Sequence, residues 1–184
     1  MKTTLKLILA TLTLAALYGC GGGGNGSSTP TAVADSYVFP SGTATITFSA
    51  MSTAQLAAPV SGIDFTVTLP AGMTPTTAGG ASGQIDSTTI TAGSALTGTN
   101  LAFGTYSVST RKAHLSMATT SNSYRSGEFL RLTCTVASGT SITLAQFKAA
   151  NDPVTIIKAV GYDSATASTV VLTDKLKVTI GAVR

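Results

Sequence analysis

Apolar and polar residues alternate with a period of two through most of this chain. That limits it to sheets with one buried face and one wet face. The clearest run is Ile63-Asp64-Phe65-Thr66-Val67-Thr68-Leu69. Ile63, Phe65, Val67 and Leu69 fall on one side, Asp64, Thr66 and Thr68 on the other, and Pro70-Ala71-Gly72 ends the run. Residues 43–48 repeat the pattern with Ala44, Ile46 and Phe48, and residues 112–118 repeat it with Ala113, Leu115 and Met117. Residues 101–108 and 112–118 read as a pair joined by a turn. Residues 128–136 form a further strand, stopped by Ser138-Gly139. Short strands are expected around residues 83–85 and 88–90, inside a stretch rich in Thr, Gly and Ser. Residues 154–162 and 170–180 close the chain, the last with Leu176, Val178 and Ile180 alternating against Lys175, Lys177 and Thr179.

Residues 143–150 break the pattern. They are helix formers behind a Thr143 cap, stopped by Asn151-Asp152-Pro153. A turn or two of helix here would lay Leu144 and Phe147 over an open end of the sheets. The pattern therefore predicts an all-β fold: an antiparallel jelly-roll or β-sandwich of about nine strands with one short helix. Charged residues are only 10% of the chain, so Thr, Ser, Gly and Asn must supply most of the polar surface. That composition suits strands better than long surface helices.

The first twenty residues have a different character. Lys2 and Lys6 make a basic tip, and LILATLTLAAL follows, about 11 apolar residues where a membrane-spanning helix needs roughly 20. That is the length of a signal-peptide core. A flexible GGGGNGSS stretch comes next. Leu17-Tyr18-Gly19-Cys20 resembles the bacterial lipoprotein lipobox: an aliphatic residue, a tolerant position, a small residue, then cysteine. The resemblance implies cleavage between Gly19 and Cys20 and lipid attachment at Cys20. Residues 1–19 would be the signal peptide, residues 20–33 a lipidated tether and residues 34–184 the domain. Gly21, with no Asp after the cysteine, would by the same resemblance send the protein to the outer membrane. The cell envelope is the expected location, with the membrane reached through the lipid anchor.

With Lys2 and Lys6 removed, the basic residues fall from 11 to nine against 7 acidic ones, and the formal charge from +4 to about +2. The basic residues are scattered, and no run of them suits nucleic acid. Cys20 and Cys134 are the only cysteines. Cys134 is in phase with Leu130, Leu132 and Val136, which predicts a buried, unpaired and inert thiol.

Three stretches carry a second resemblance. IDFTVTLPAGM at residues 63–73, SGEFLRL at residues 126–132 and the Val-rich strand after Asp163 resemble the bacterial cohesin-like β-sandwich, which is related to some carbohydrate-binding modules. The resemblance implies a flat sheet face that binds a partner protein. It carries over the fold and the idea of protein binding, and neither a dockerin partner nor any contact residue.

Chemistry-bearing residues are sparse. His114 is the only histidine. It shares a strand side with Lys112 and Ser116, which predicts an exposed polar face and not a nucleophile with its base, since no Gly-x-Ser-x-Gly turn is present. No catalytic residue and no metal ligand set is expected. No cofactor is expected either, although a calcium ion held by loop Asp and main-chain carbonyls stays open. There is no Trp, so sugar stacking would fall to tyrosines, with Tyr124 and Tyr106 as the candidate ligand contacts. The expected function is a non-enzymatic, membrane-anchored binding lipoprotein that docks another exported protein. Carbohydrate binding at the cell surface is the alternative, and a hydrolase is a distant one.

Overall fold

The computed structural model describes residues 30–184. These form two antiparallel sheets packed face to face. In chain order the strands are β1 (Gly42–Ser52), β2 (Val60–Thr68), β3 (Met73–Pro75), β4 (Gly83–Gln84), β5 (Ile90–Ala92), β6 (Asn100–Ser107), β7 (Lys112–Thr119), β8 (Gly127–Val136), β9 (Thr155–Asp163), β10 (Ser168–Val171) and β11 (Leu176–Val183). One sheet runs β11-β1-β8-β3, with β5 also paired to β8. The other runs β10-β9-β2-β7-β6-β4. The sandwich is the expected one, with eleven strands among the described residues and not nine.

The alternation explains the core. Ile63, Phe65 and Val67 of β2 and Ala113, Leu115 and Met117 of β7 project from one sheet. Ile46 and Phe48 of β1 and Leu130, Leu132 and Cys134 of β8 project from the other. Three rings join the layers: Phe65 meets Phe48 edge-on at 5.1 Å and Phe129 at 5.5 Å between centroids. The single helix, α1 (Leu144–Ala149), begins as expected. The Thr143 hydroxyl accepts from the Gln146 amide, and the Gln146 side chain accepts in return from the Thr143 N–H, which closes a capping box. Leu144 and Phe147 are buried beneath it.

The end of the chain departs from expectation. Residues 170–180 are not one strand. The chain leaves the six-stranded sheet after β10, turns through a 3-10 helix at Thr173–Lys175, and enters the five-stranded sheet as β11. The Thr173 hydroxyl accepts from the Ala159 N–H at this crossing, and Leu172 is fully buried under it. The Val-rich stretch thus serves two layers.

Between β5 and β8 the main chains approach closely at Gly93, where an added Cβ would stand 2.4 Å from the Glu128 carbonyl oxygen. Backbone cannot move aside as a side chain can. Gly93→Ala is expected to cost about 1–3 kcal/mol, measured as a drop in the urea midpoint at unchanged m-value.

Candidate functional site

The bulkiest apolar residues of β6 point the wrong way for a core. Ala102, Gly104 and Tyr106 face inward, while Leu101 and Phe103 stand 59% and 46% exposed. The register with β7 fixes this. Ala113, Leu115 and Met117 bury themselves, and they pair with Tyr106, Gly104 and Ala102, so those three must share the inner face. Leu101 and Phe103 are left outside, opposite Ala118 and Ser116.

Following the pairings across the six-stranded sheet joins them to residues of other strands. Val171 of β10 lies opposite Val160 of β9, Val160 opposite Gly62 of β2, Gly62 opposite Ala118 of β7, and Ala118 opposite Leu101 of β6. Directly opposed residues share a face, so these five make one apolar row across the outer surface. The row is high at its ends, where Val171 is 65% exposed, and low in the middle. Gly62 has no side chain, and Val160 leans over it, with Val160 Cγ2 3.3 Å from where a Gly62 Cβ would stand. At the neighbouring register shift between β2 and β9, Ile157 is the extra residue and is half exposed.

The next rows are polar except for Phe103. Lys158, Asp64, Ser116 and Phe103 follow one another across the strands, then Thr155, Thr66, His114 and Thr105. One Asp64 oxygen accepts from Ser116 Oγ at 2.8 Å and contacts His114 Nε2 at 2.5 Å. The carboxylate therefore sits between the histidine and the serine. In a nucleophile relay the imidazole must lie between them, so this order does not activate Ser116. What the trio does is fix three side chains flat on the face beside the apolar row.

The two tyrosines expected to contact ligand lie elsewhere. Tyr124 is 3% exposed; its hydroxyl donates to the Gly127 carbonyl, and desolvation raises its pKa strongly. Tyr106 is 4% exposed with its pKa raised by the same cause. Neither ring offers a face to solvent. Tyr124 looked exposed because its neighbours Asn122, Ser123, Arg125 and Ser126 are polar. They are exposed indeed, while the ring between them packs on the core. Tyr162 of β9, which sequence pattern did not single out, is the tyrosine of this sheet that stands half exposed.

Cys134 is buried, as its phase predicts, and desolvation pushes its thiol from 9.0 up to about 12. The unfolded chain ionises the thiol near its ordinary value, while the folded chain keeps its proton. The contribution of this thiol to stability is therefore constant well below pH 9 and is lost as the pH rises from about 9 toward 12. In Cys134→Ala this component of the alkaline decline should be missing, as read from urea midpoints across that range. Native protein should also resist thiol reagents until it is unfolded.

The loop aspartates serve their own turns. Asp86 is held below the ordinary carboxylate range by the Thr88 N–H and then the Thr88 hydroxyl. Asp163 is held down by the Thr166 hydroxyl and then the Ala165 N–H. Among the described residues no group of three or more His, Cys, Asp or Glu side chains is placed to hold a metal ion. Gly19 and Cys20, the expected cleavage and lipid-attachment positions, lie outside the described residues, as do the signal segment and most of the tether.

No protein-family model matches this chain, and no curated protein and no solved structure matches it.

Proposed function

We propose that this chain is an exported lipoprotein, anchored in the cell envelope through Cys20, whose sandwich docks another extracytoplasmic protein on the outer face of the six-stranded sheet. The observation that carries the docking is the apolar row Val171-Val160-Gly62-Ala118-Leu101, drawn from five strands and laid across an otherwise Thr- and Ser-rich surface. Leu101, Phe103, Ile157 and Val171 are already about half buried, so each would contribute about 0.7–2 kcal/mol when its remaining exposed surface is covered. That total is enough to offset a large part of the cost of association. The polar trio around Asp64 would form the rim, where hydrogen bonds give orientation more than affinity. The partner is an exported protein that presents a low apolar ridge to fit between Leu101 and Val171.

The tether geometry is compatible with this arrangement. The first described residues run along β11, with Thr31 N–H donating to the Arg184 carbonyl and Val33 N–H to the Ala182 carbonyl. Since β11 is an edge of the five-stranded sheet, the chain enters on the layer opposite the apolar row. The entering chain thus leaves the apolar row uncovered, which supports docking on that face. Envelope anchoring follows from residues 1–20 and the lipobox resemblance, and Gly21 favours the outer membrane.

The test is retention of an envelope protein by the immobilised domain. Wild type should retain one exported protein, and Leu101→Asp combined with Val171→Asp should weaken its capture by about tenfold or more. Both positions are exposed, so the folding stability should stay within about 1 kcal/mol of wild type. Undiminished capture by the double variant would remove the row from the interface.

A further inference from the structure

A cavity of about 330 Å³ opens beside the start of β2, the end of β7 and the end of β9. It falls within the usual range of small-molecule sites, about 300–1,000 Å³. We infer that this cavity is a binding site for a neutral pyranose sugar, with the Tyr162 ring as its stacking platform and the Asn122 amide as its hydroxyl-reading group. The inference is independent of the docking surface and uses different residues.

Three features set the ligand class. First, Tyr162 is 52% exposed and lines the cavity, so an aromatic ring is accessible there for stacking on the C–H face of a sugar. Second, the lining holds no charged side chain: besides Tyr162 it is Pro59 together with serines, threonines and Asn122. The nearest carboxylate along the chain, Asp163, is engaged with the Ala165 N–H and the Thr166 hydroxyl. A charged ligand would find no counter-ion there. Third, the rim is already built. The Thr119 hydroxyl donates to the Asn100 side-chain oxygen and accepts from the Ser121 N–H. Ser121 Oγ is 3.0 Å from Thr97 Oγ1, and Thr120 Oγ1 accepts from the Thr99 N–H. Thr119 and Ser121 are buried, so the segment carrying Asn122 is held in place before any ligand arrives.

The hydrogen-bonding groups left over are the useful ones. The side chains of Asn122, Ser164 and Tyr162 make no hydrogen bond with the described residues. An amide supplies two donors and an acceptor, and each hydroxyl supplies one donor and acceptor lone pairs, which matches adjacent sugar hydroxyls. A ligand with one apolar face and a polar, uncharged edge fits such a site. A single ring and a shallow cavity should give a dissociation constant of about 1 mM.

The experiment is a titration of the isotopically labelled domain with methyl β-D-glucopyranoside, methyl α-D-mannopyranoside and N-acetylglucosamine, with glucuronate as the charged control. At least one neutral sugar should saturate, with amide shifts concentrated at residues 119–122 and 161–164. Tyr162→Ala should weaken it by about tenfold or more, and Asn122→Ala, on an exposed loop, by about fivefold or more. Tyr162→Phe should retain it within about threefold, because the ring is kept. Leu101→Asp with Val171→Asp should bind the sugar as wild type does. The inference is overturned if none of the three neutral sugars saturates. It is overturned equally if Tyr162→Ala and Asn122→Ala fold normally and bind unchanged, or if glucuronate binds more tightly than every neutral sugar.

Discussion

Phe65→Ala is expected to remove about 3–5 kcal/mol of folding stability, a large share of the 5–15 kcal/mol typical of a single domain. Phe65 sits on β2 in the six-stranded sheet and is fully buried. It touches Phe48 of β1 and Phe129 of β8, both on the opposing sheet, in edge-to-face geometry at 61° and 75°. Truncation would remove the transfer energy of one ring and the edge contacts to two more, and would leave a cavity between the layers. No disulfide among the described residues offsets the loss. Urea unfolding of the isolated domain measures it, with Phe65→Leu as the companion expected to keep most of the stability. A loss under about 1 kcal/mol for the alanine variant would mean that the two layers are not joined through these rings.

Cys20→Ser is expected to move the protein out of the membrane fraction. One acyl chain holds a protein to a bilayer only marginally, and two or more hold it stably, because each buried CH₂ contributes about 0.8 kcal/mol. Serine presents an oxygen where the thioether must form, so the substituted chain would lose the anchor while its domain stays folded. Fractionation of cells carrying each form, with the mass of the purified N-terminal peptide, reads the result. Wild type should carry the mass of a diacylglycerol thioether on Cys20. An unchanged membrane fraction for the serine variant, or an unmodified Cys20 in the wild type, would contradict anchoring at that residue.

Local rules were enough for much of the fold. Cys134 falls inside because Leu130, Leu132 and Val136 set its phase, and α1 starts where Thr143 and Gln146 cap one another. These features depend on neighbours a few residues away. The misread positions depend on distant partners. The pattern of β6 alone does not say which face goes inside; the stronger pattern of β7 claims the inner face, and the register carries Leu101 and Phe103 outside. Tyr124 lies in a loop, as its polar neighbours suggest, but its ring has a place in the core and its hydroxyl a carbonyl at Gly127. Thr173-Asp174-Lys175 interrupts a run that reads as one strand, because the chain must pass from one layer to the other there.

The candidate site was less legible still. The apolar row takes residues 62, 101, 118, 160 and 171, which only the strand order β10-β9-β2-β7-β6 brings into line. Asp64 and His114 lie 50 residues apart in sequence and meet because β2 and β7 are neighbours. The flat binding face expected from the family resemblance named no residue, so the sequence offered a kind of surface without its location.

Photo-crosslinking in living cells tests the proposed docking face most directly. A photoreactive side chain at position 101 or 171 should each give one adduct with the same exported protein. The same group at position 51, where Met51 is 54% exposed on the opposite sheet, should give none with it. Equal adducts from position 51, or no adduct from either 101 or 171, would contradict docking through the outer face of the six-stranded sheet.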